Sequence, residues 1–126
     1  MVKTRRRFLL CFLGMFAVGP SFSLADAAAE DIEQVKISYL IAEVGNLKGA
    51  KFVRNGKVYG VAEAVEHLNL KRRTAGSRIK TAEDFIRYCA TASSVSGQPY
   101  LIRLADGHTL QSAEFLRERL AAFPSH

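Results

Sequence analysis

Apolar residues recur along this chain with two different periods, and the changes between them mark out its elements. Ile37, Leu40, Ile41 and Val44 fall at i, i+3, i+4 and i+7. That is one face of a helix, placed by the pattern over 29–46 and stopped by Gly45 and Asn46. Val61, Ala64, Val65 and Leu68 repeat the spacing and predict a second helix up to Arg72, left through "TAGS". A third helix opens at Thr81, where "TAED" has the form of a capping box: Thr81 accepts from the first turn and Asp84 reaches back. Phe85, Ile86, Cys89 and Ala92 make its buried side. Ser112 is placed to cap a last helix whose Leu116, Leu120 and Phe123 face inward.

Between these segments the period drops toward two. "KFVRNGKVYG" sets Asn55-Gly56 between two β-prone pairs, which predicts a compact hairpin or turn. "YLIRL", then Asp106-Gly107, then "HTL" is the stronger hairpin signal. The expected fold is α+β, with about four helices packed on one face of a small antiparallel sheet or hairpin.

The N-terminus follows neither period. "MVKTRRR" supplies four positive charges and "FLLCFLGMFAV" an eleven-residue apolar run, followed by Gly19, Pro20 and small residues. The run is shorter than the about 20 residues a spanning helix needs, and the order reads as a signal peptide of residues 1–25. Cleavage is expected after Ala25, with Ala27 second. "TRRRFLL" partly resembles a twin-arginine signal, but the run is dense in Phe and Leu and no cofactor motif follows, which favours the general secretory route. Residues 26–126 are then a single domain in the periplasm or outside the cell, with no transmembrane segment.

Export changes the electrostatic picture. The whole chain carries +6, but the leader holds four of the eighteen basic residues and none of the twelve acidic ones, so the mature part carries only +2. A charge that small, with no aromatic platform among the basic residues, argues against nucleic acid as a partner. Lys71, Arg72, Arg73, Arg78 and Lys80 form the one basic stretch, which suits a solvated face, or anionic lipid headgroups, better than RNA. Of the two cysteines, Cys11 leaves with the leader, and Cys89 reads as a core residue. No clustered Cys/His set remains for a metal, and no cofactor motif is present.

Candidate chemistry is concentrated in two places. "TASSVSGQPY" brings Ser93, Ser94 and Ser96 close together, but they leave a helix and enter a strand, the reverse of a nucleophile elbow, and none of the three has a lysine three residues on to act as base in an S-x-x-K arrangement. The favoured reading is mechanical: the hydroxyls bond the helix end and the turn, with Gly97 at positive φ. Glu63, His67 and Lys71, at i, i+4 and i+8, form one line along the second helix. The plain account is a solvated face with His67 at the edge of the core. The sharper one is a polar groove in which Arg54, His67 and Lys71 meet an anionic group, such as a carboxylate of glycan or peptide. The turn explains Asn55 but not Arg54, which is well placed for a bidentate contact.

"FVRNGKVYGVAEAVEHLNLKRR", "RIKTAEDFIRYCATASSVSGQPYLI" and "SAEFL" together resemble the YfeK-like family of small exported bacterial proteins, a domain of unknown function. The likeness runs from about Phe52 to Ile102 and weakly to Leu116. It implies an envelope protein and carries over no reaction. Many members of that family have a cysteine two residues before the Phe of "FVRNG" and another four after the Tyr of "SGQPY", at the positions of Ala50 and Leu104 here. If those cysteines are bonded to each other, the resemblance implies that Ala50 and Leu104 are neighbours, with Cα atoms within about 7 Å.

Two function classes stay open. The favoured one is a non-enzymatic binding or interaction module of the envelope, taking a protein, peptide or anionic glycan or lipid through Arg54, Asn55, His67, Lys71, Ser94 and Ser96. The alternative is a small hydrolase or transferase using His67 with a serine of "SSVSG", which requires His67 to approach hydrogen-bond distance of that serine. No catalytic or metal-binding residue is assigned.

Overall fold

A computed structural model of the chain describes Gly19 and residues 23–125, so nearly all of the expected leader lies outside the described residues. The order of elements is α1 (Leu24–Gly45), β1 (Lys51–Arg54), β2 (Lys57–Tyr59), α2 (Val61–Ala75) with a short 3-10 turn behind it, and α3 (Ala82–Phe85), which continues as a π turn (Ile86–Ala90). β3 (Leu101–Arg103), β4 (Thr109–Gln111) and α4 (Ser112–Ala121) complete the chain. The fold is α+β, with four α-helices and one antiparallel sheet in the order β2-β1-β3-β4 among the described residues.

Both hairpins form where turn chemistry placed them. Asn55 and Gly56 both have positive φ, 52° and 76°, the type I′ pattern that matches strand twist and that Asn-Gly adopts at least cost. The Asp106-Gly107 hairpin differs from a two-residue turn. Leu104 and His108 close a three-residue loop, Leu104 N donating to His108 O at 2.8 Å and Gly107 N to Leu104 O at 3.0 Å. Gly107, at φ 94°, takes the left-handed position such a loop needs, and Asp106 Oδ1 accepts from His108 N at 2.9 Å.

The β1–β3 register pairs Lys51 with Arg103 and Phe52 with Ile102. One step further sets Ala50 opposite Leu104. The alignment continues beyond that, since a Cβ built on Gly49 would lie 3.1 Å from Ala105 Cβ. Directly opposed antiparallel residues have Cα atoms about 4.5–5.5 Å apart, inside the reach that the resemblance implied.

Alternation then sorts the sheet into two faces. Ala50, Phe52, Ile102, Leu104 and Leu110 join the core with Ile37, Leu40, Ile41 and Val44 of α1, Leu68 of α2, Phe85 and Cys89, and Leu116 of α4. Lys51, Arg103, Thr109 and Gln111 on the other face are exposed, and Val58 is 54% exposed, so among the described residues the helices cover one side of the sheet. α2 is tied to α1 by Arg72, whose Nη2 donates to Gln34 Oε1 at 2.6 Å. The first turn of α3 is tied to α1 by Glu33, which accepts from Ala82 N at 2.7 Å.

The helices depart from the sequence reading in three places. α1 starts earlier than 29, capped by Ser23, whose Oγ accepts from Asp26 N. The capping box at Thr81 and Asp84 is present, but the helix it starts widens into a π turn after one turn, and Ala92 falls beyond it, half-buried. Thr91 Oγ1 donates to the Ile86 carbonyl five residues back, at 2.8 Å, and so meets a carbonyl at the wider spacing. Ser112 is not the cap of α4 but its first residue: its N–H is already given to Tyr100 O at 2.9 Å, extending the ladder, and Gln111 stands at the cap with no side-chain bond.

Candidate functional site

A cleft of about 300 Å³ opens between α2 and the sheet. β1 lines it with Phe52 and Arg54, β2 with Tyr59, and α2 with Glu63, Glu66 and His67, while Tyr100 closes it beside β3. Arg54 faces inward because it stands two residues from Phe52 on the same side of the strand. Its Nη1 lies 2.9 Å from Nδ1 and 3.1 Å from Nε2 of His67. A neutral imidazole has one acceptor nitrogen, so one of these contacts is a hydrogen bond donated by Arg54. The guanidinium carbon is also 5.4 Å from the centroid of the Tyr59 ring. Face and one nitrogen are thus engaged, whereas Nε is buried with no hydrogen-bond partner among the described residues.

Tyr100 stands between the two other basic groups. Its ring meets His67 edge-on, with centroids 5.9 Å apart at 85°, and Lys71 Nζ lies 5.2 Å from its centroid. Burial, reinforced by the charges of Arg54 and Lys71, pushes the His67 pKa below its ordinary 6.5. The neutral ring is the form that can accept from Arg54.

A stability test follows from that shift. Folded His67 binds a proton less readily than unfolded His67, so its contribution is complete above pH 6.5 and is lost as pH falls through its lowered folded value. The urea midpoint should be higher at pH 7.5 than at pH 5, and His67→Gln should remove that part of the difference. An unchanged profile in the variant would show that the ring is not held neutral by this contact.

Asn55 and the serines form a separate cluster. Asn55 Nδ2 donates to Ser93 Oγ at 3.1 Å, and Ser96 Oγ donates to Asn55 Oδ1. Ser93 Oγ also accepts from the amides of Val95 and Ser96, and Ser96 Oγ from that of Gln98. The hairpin turn is thereby clamped to the 93–97 loop, whose Gly97 has φ 72° and donates to Ser93 O at 2.8 Å. Ser94 belongs to neither cluster; it is exposed and its hydroxyl makes no hydrogen bond among the described residues. Of the six candidate residues, Arg54, His67 and Lys71 converge on Tyr59 and Tyr100, Asn55 and Ser96 join the clamp, and Ser94 stands apart. None of the three serines lines the cleft that holds His67. Among the described residues no group of three His, Cys, Asp or Glu could hold a metal ion, and no helix is long and apolar enough to cross a membrane.

Residues 31–124 match the Family of unknown function (DUF5329), and the matched span takes in both the cleft and the clamp. The chain belongs to this family. It is also 41% identical over 68 residues to the uncharacterized protein YfeK of Salmonella typhimurium, a stretch that covers 54% of this chain and 57% of that relative. The aligned part is therefore little more than half of the curated relative it matches. No solved structure matches.

The sequence reading missed the aromatic walls of this DUF5329 cleft. Tyr59 and Tyr100 look like ordinary strand residues, yet pairing gives them away: Tyr59 opposes Phe52, and one step beyond the β1–β3 register Tyr100 opposes Arg54. The basic stretch does not act as one surface either. Arg72 is spent on α1, Lys71 lies against Tyr100, and Arg73 lines the cleft.

Proposed function

We propose that this DUF5329 protein is an exported binding module of the bacterial envelope, and that its cleft takes a carboxylate on Arg54. The leader pattern of residues 1–25 supports export by the general secretory route to the periplasm or beyond. One observation carries the ligand reading: the guanidinium is held by the Tyr59 ring and by His67, while its buried Nε has no partner among the described residues. A buried donor left unpaired costs about 1–3 kcal/mol, and a carboxylate meeting the Nε edge of a fixed guanidinium recovers this through a charge-assisted pair. Lys71 adds positive potential from beyond Tyr100. Binding is favoured over hydrolysis because the hydroxyls of Ser93 and Ser96 are engaged by Asn55 and loop amides, and His67 by Arg54.

The test uses protein purified from cells expressing the full chain, titrated calorimetrically with N-acetyl-Ala-Phe and with its C-terminal amide. The acid should bind and the amide should bind at least tenfold more weakly. Arg54→Gln should weaken the acid about 10- to 100-fold, as loss of a charged hydrogen-bonded pair predicts, and Arg54→Lys should restore only part of it. Equal binding of acid and amide would refute the carboxylate reading. Mass measurement of the purified chain checks the leader, which should end at Ala25 or Ala27.

A further inference from the structure

The cleft presents charges of both signs that do not neutralise each other. Glu63, Glu66, His67, Leu70 and Arg73 of α2 all line it, related by the three- and four-residue spacings (63/66/70/73 and 63/67/70) that keep them on one face of the helix. Glu63, Glu66 and Arg73 are exposed. The ion pairs among the described residues lie elsewhere, at Lys36–Glu33, Arg117–Glu83 and Arg119–Glu43. Helix geometry helps keep the signs apart, since Glu66 and Arg73 are separated by about 10 Å of rise. Arg54, meanwhile, is turned to His67 and Tyr59 rather than to either glutamate.

From this arrangement we infer that the ligand of the cleft is amphoteric, an amino acid or short peptide with a free amino group. Its carboxylate meets Arg54, its ammonium meets Glu63 and Glu66, and its apolar body lies against Tyr59, Tyr100 and Leu70. The inference rests on the carboxylate reading above and adds the second charge. Scale agrees with it. Glu63 is one helical turn from His67, on which Arg54 rests, with about 6 Å between the two Cβ atoms, a scale comparable with one or two residues of a peptide. A cleft of about 300 Å³ is at the small end for ligand sites and fits a molecule of that size. A purely anionic ligand would instead place its body beside two carboxylates that have no ion-pair partner among the described residues.

The experiment compares Ala-Phe, N-acetyl-Ala-Phe and Ala-Phe amide on protein purified from cells expressing the full chain. Ala-Phe should bind at least tenfold more tightly than either capped form. The double variant Glu63→Gln/Glu66→Gln should abolish the preference, weakening Ala-Phe to about the level of N-acetyl-Ala-Phe without weakening the acetylated peptide. Both positions are exposed, so a thermal melt matching the parent shows that the variant is folded. If N-acetyl-Ala-Phe binds as tightly as Ala-Phe, the amphoteric ligand is refuted while the carboxylate contact stands. If no probe with a free carboxylate binds, or if the amide binds most tightly, both readings fall.

Discussion

Phe85→Ala should destabilise the protein by about 3–5 kcal/mol, the range for removing a fully enclosed aromatic ring. Phe85 is 0% exposed and stands where α3 passes into the π turn, in one buried cluster with residues of α1, the sheet and α4. A domain of this size has about 5–15 kcal/mol in total, so about a fifth or more is at stake. Urea unfolding measures the loss directly. A second readout is Cys89, buried one turn further on, whose thiol pKa is pushed up by burial against the opposing pull of Lys71, Arg78 and Arg72. In the parent it should react slowly with a thiol reagent, and in Phe85→Ala the rate should rise as opening becomes more frequent. A loss under about 1 kcal/mol with unchanged Cys89 reactivity would mean that the ring does not organise this part of the core.

Asn55→Ala should cost about 2–4 kcal/mol although the residue is exposed. Two separate contributions make up that figure. Asn55 holds φ 52°, and moving a residue with an ordinary Cβ into the left-handed region costs about 1–2 kcal/mol. Its side chain also makes two hydrogen bonds, to Ser93 and from Ser96, each worth about 1 kcal/mol. Asn55→Gly separates the two, because glycine keeps the turn and loses only the clamp, so it should cost about 1–2 kcal/mol. A cycle with Ser93→Ala completes the measurement: if the clamp is a unit, the double variant should lose clearly less than the sum of the single ones. Additive losses would show that turn and loop are independent.

The helical faces were legible because burial on one side imposes a period of 3.6, and Ile37, Leu40, Ile41 and Val44 have nothing else to explain their spacing. The turns were legible because Asn-Gly and Asp-Gly solve a backbone problem that few residues solve. What stayed hidden depends on contacts across the chain. The length of the Asp106-Gly107 loop is set by where Leu104 meets His108, and the widening after Phe85 by how Ile86 and Cys89 pack, neither of which is a local property. In the cleft, Arg54 and His67 stood out as polar residues without a structural task. Tyr59 and Tyr100, having an obvious one as strand formers, gave no such signal until the register placed them around Arg54.

The π turn has a consequence for the clamp. A widened turn amounts to one additional residue in a helix, and one residue rotates everything after it by about 100°. The face that buries Phe85, Ile86 and Cys89 and the direction in which Ser93 leaves are therefore out of phase with a plain α-helix by that angle. Removing one residue from 86–90 would leave the core side chains before it in place and swing the Ser93 hydroxyl away from Asn55. The bulge acts as an angular spacer: it lets a helix phased by the core deliver a loop phased by the hairpin, and so brings the strand that begins after Tyr100 back beside Arg54.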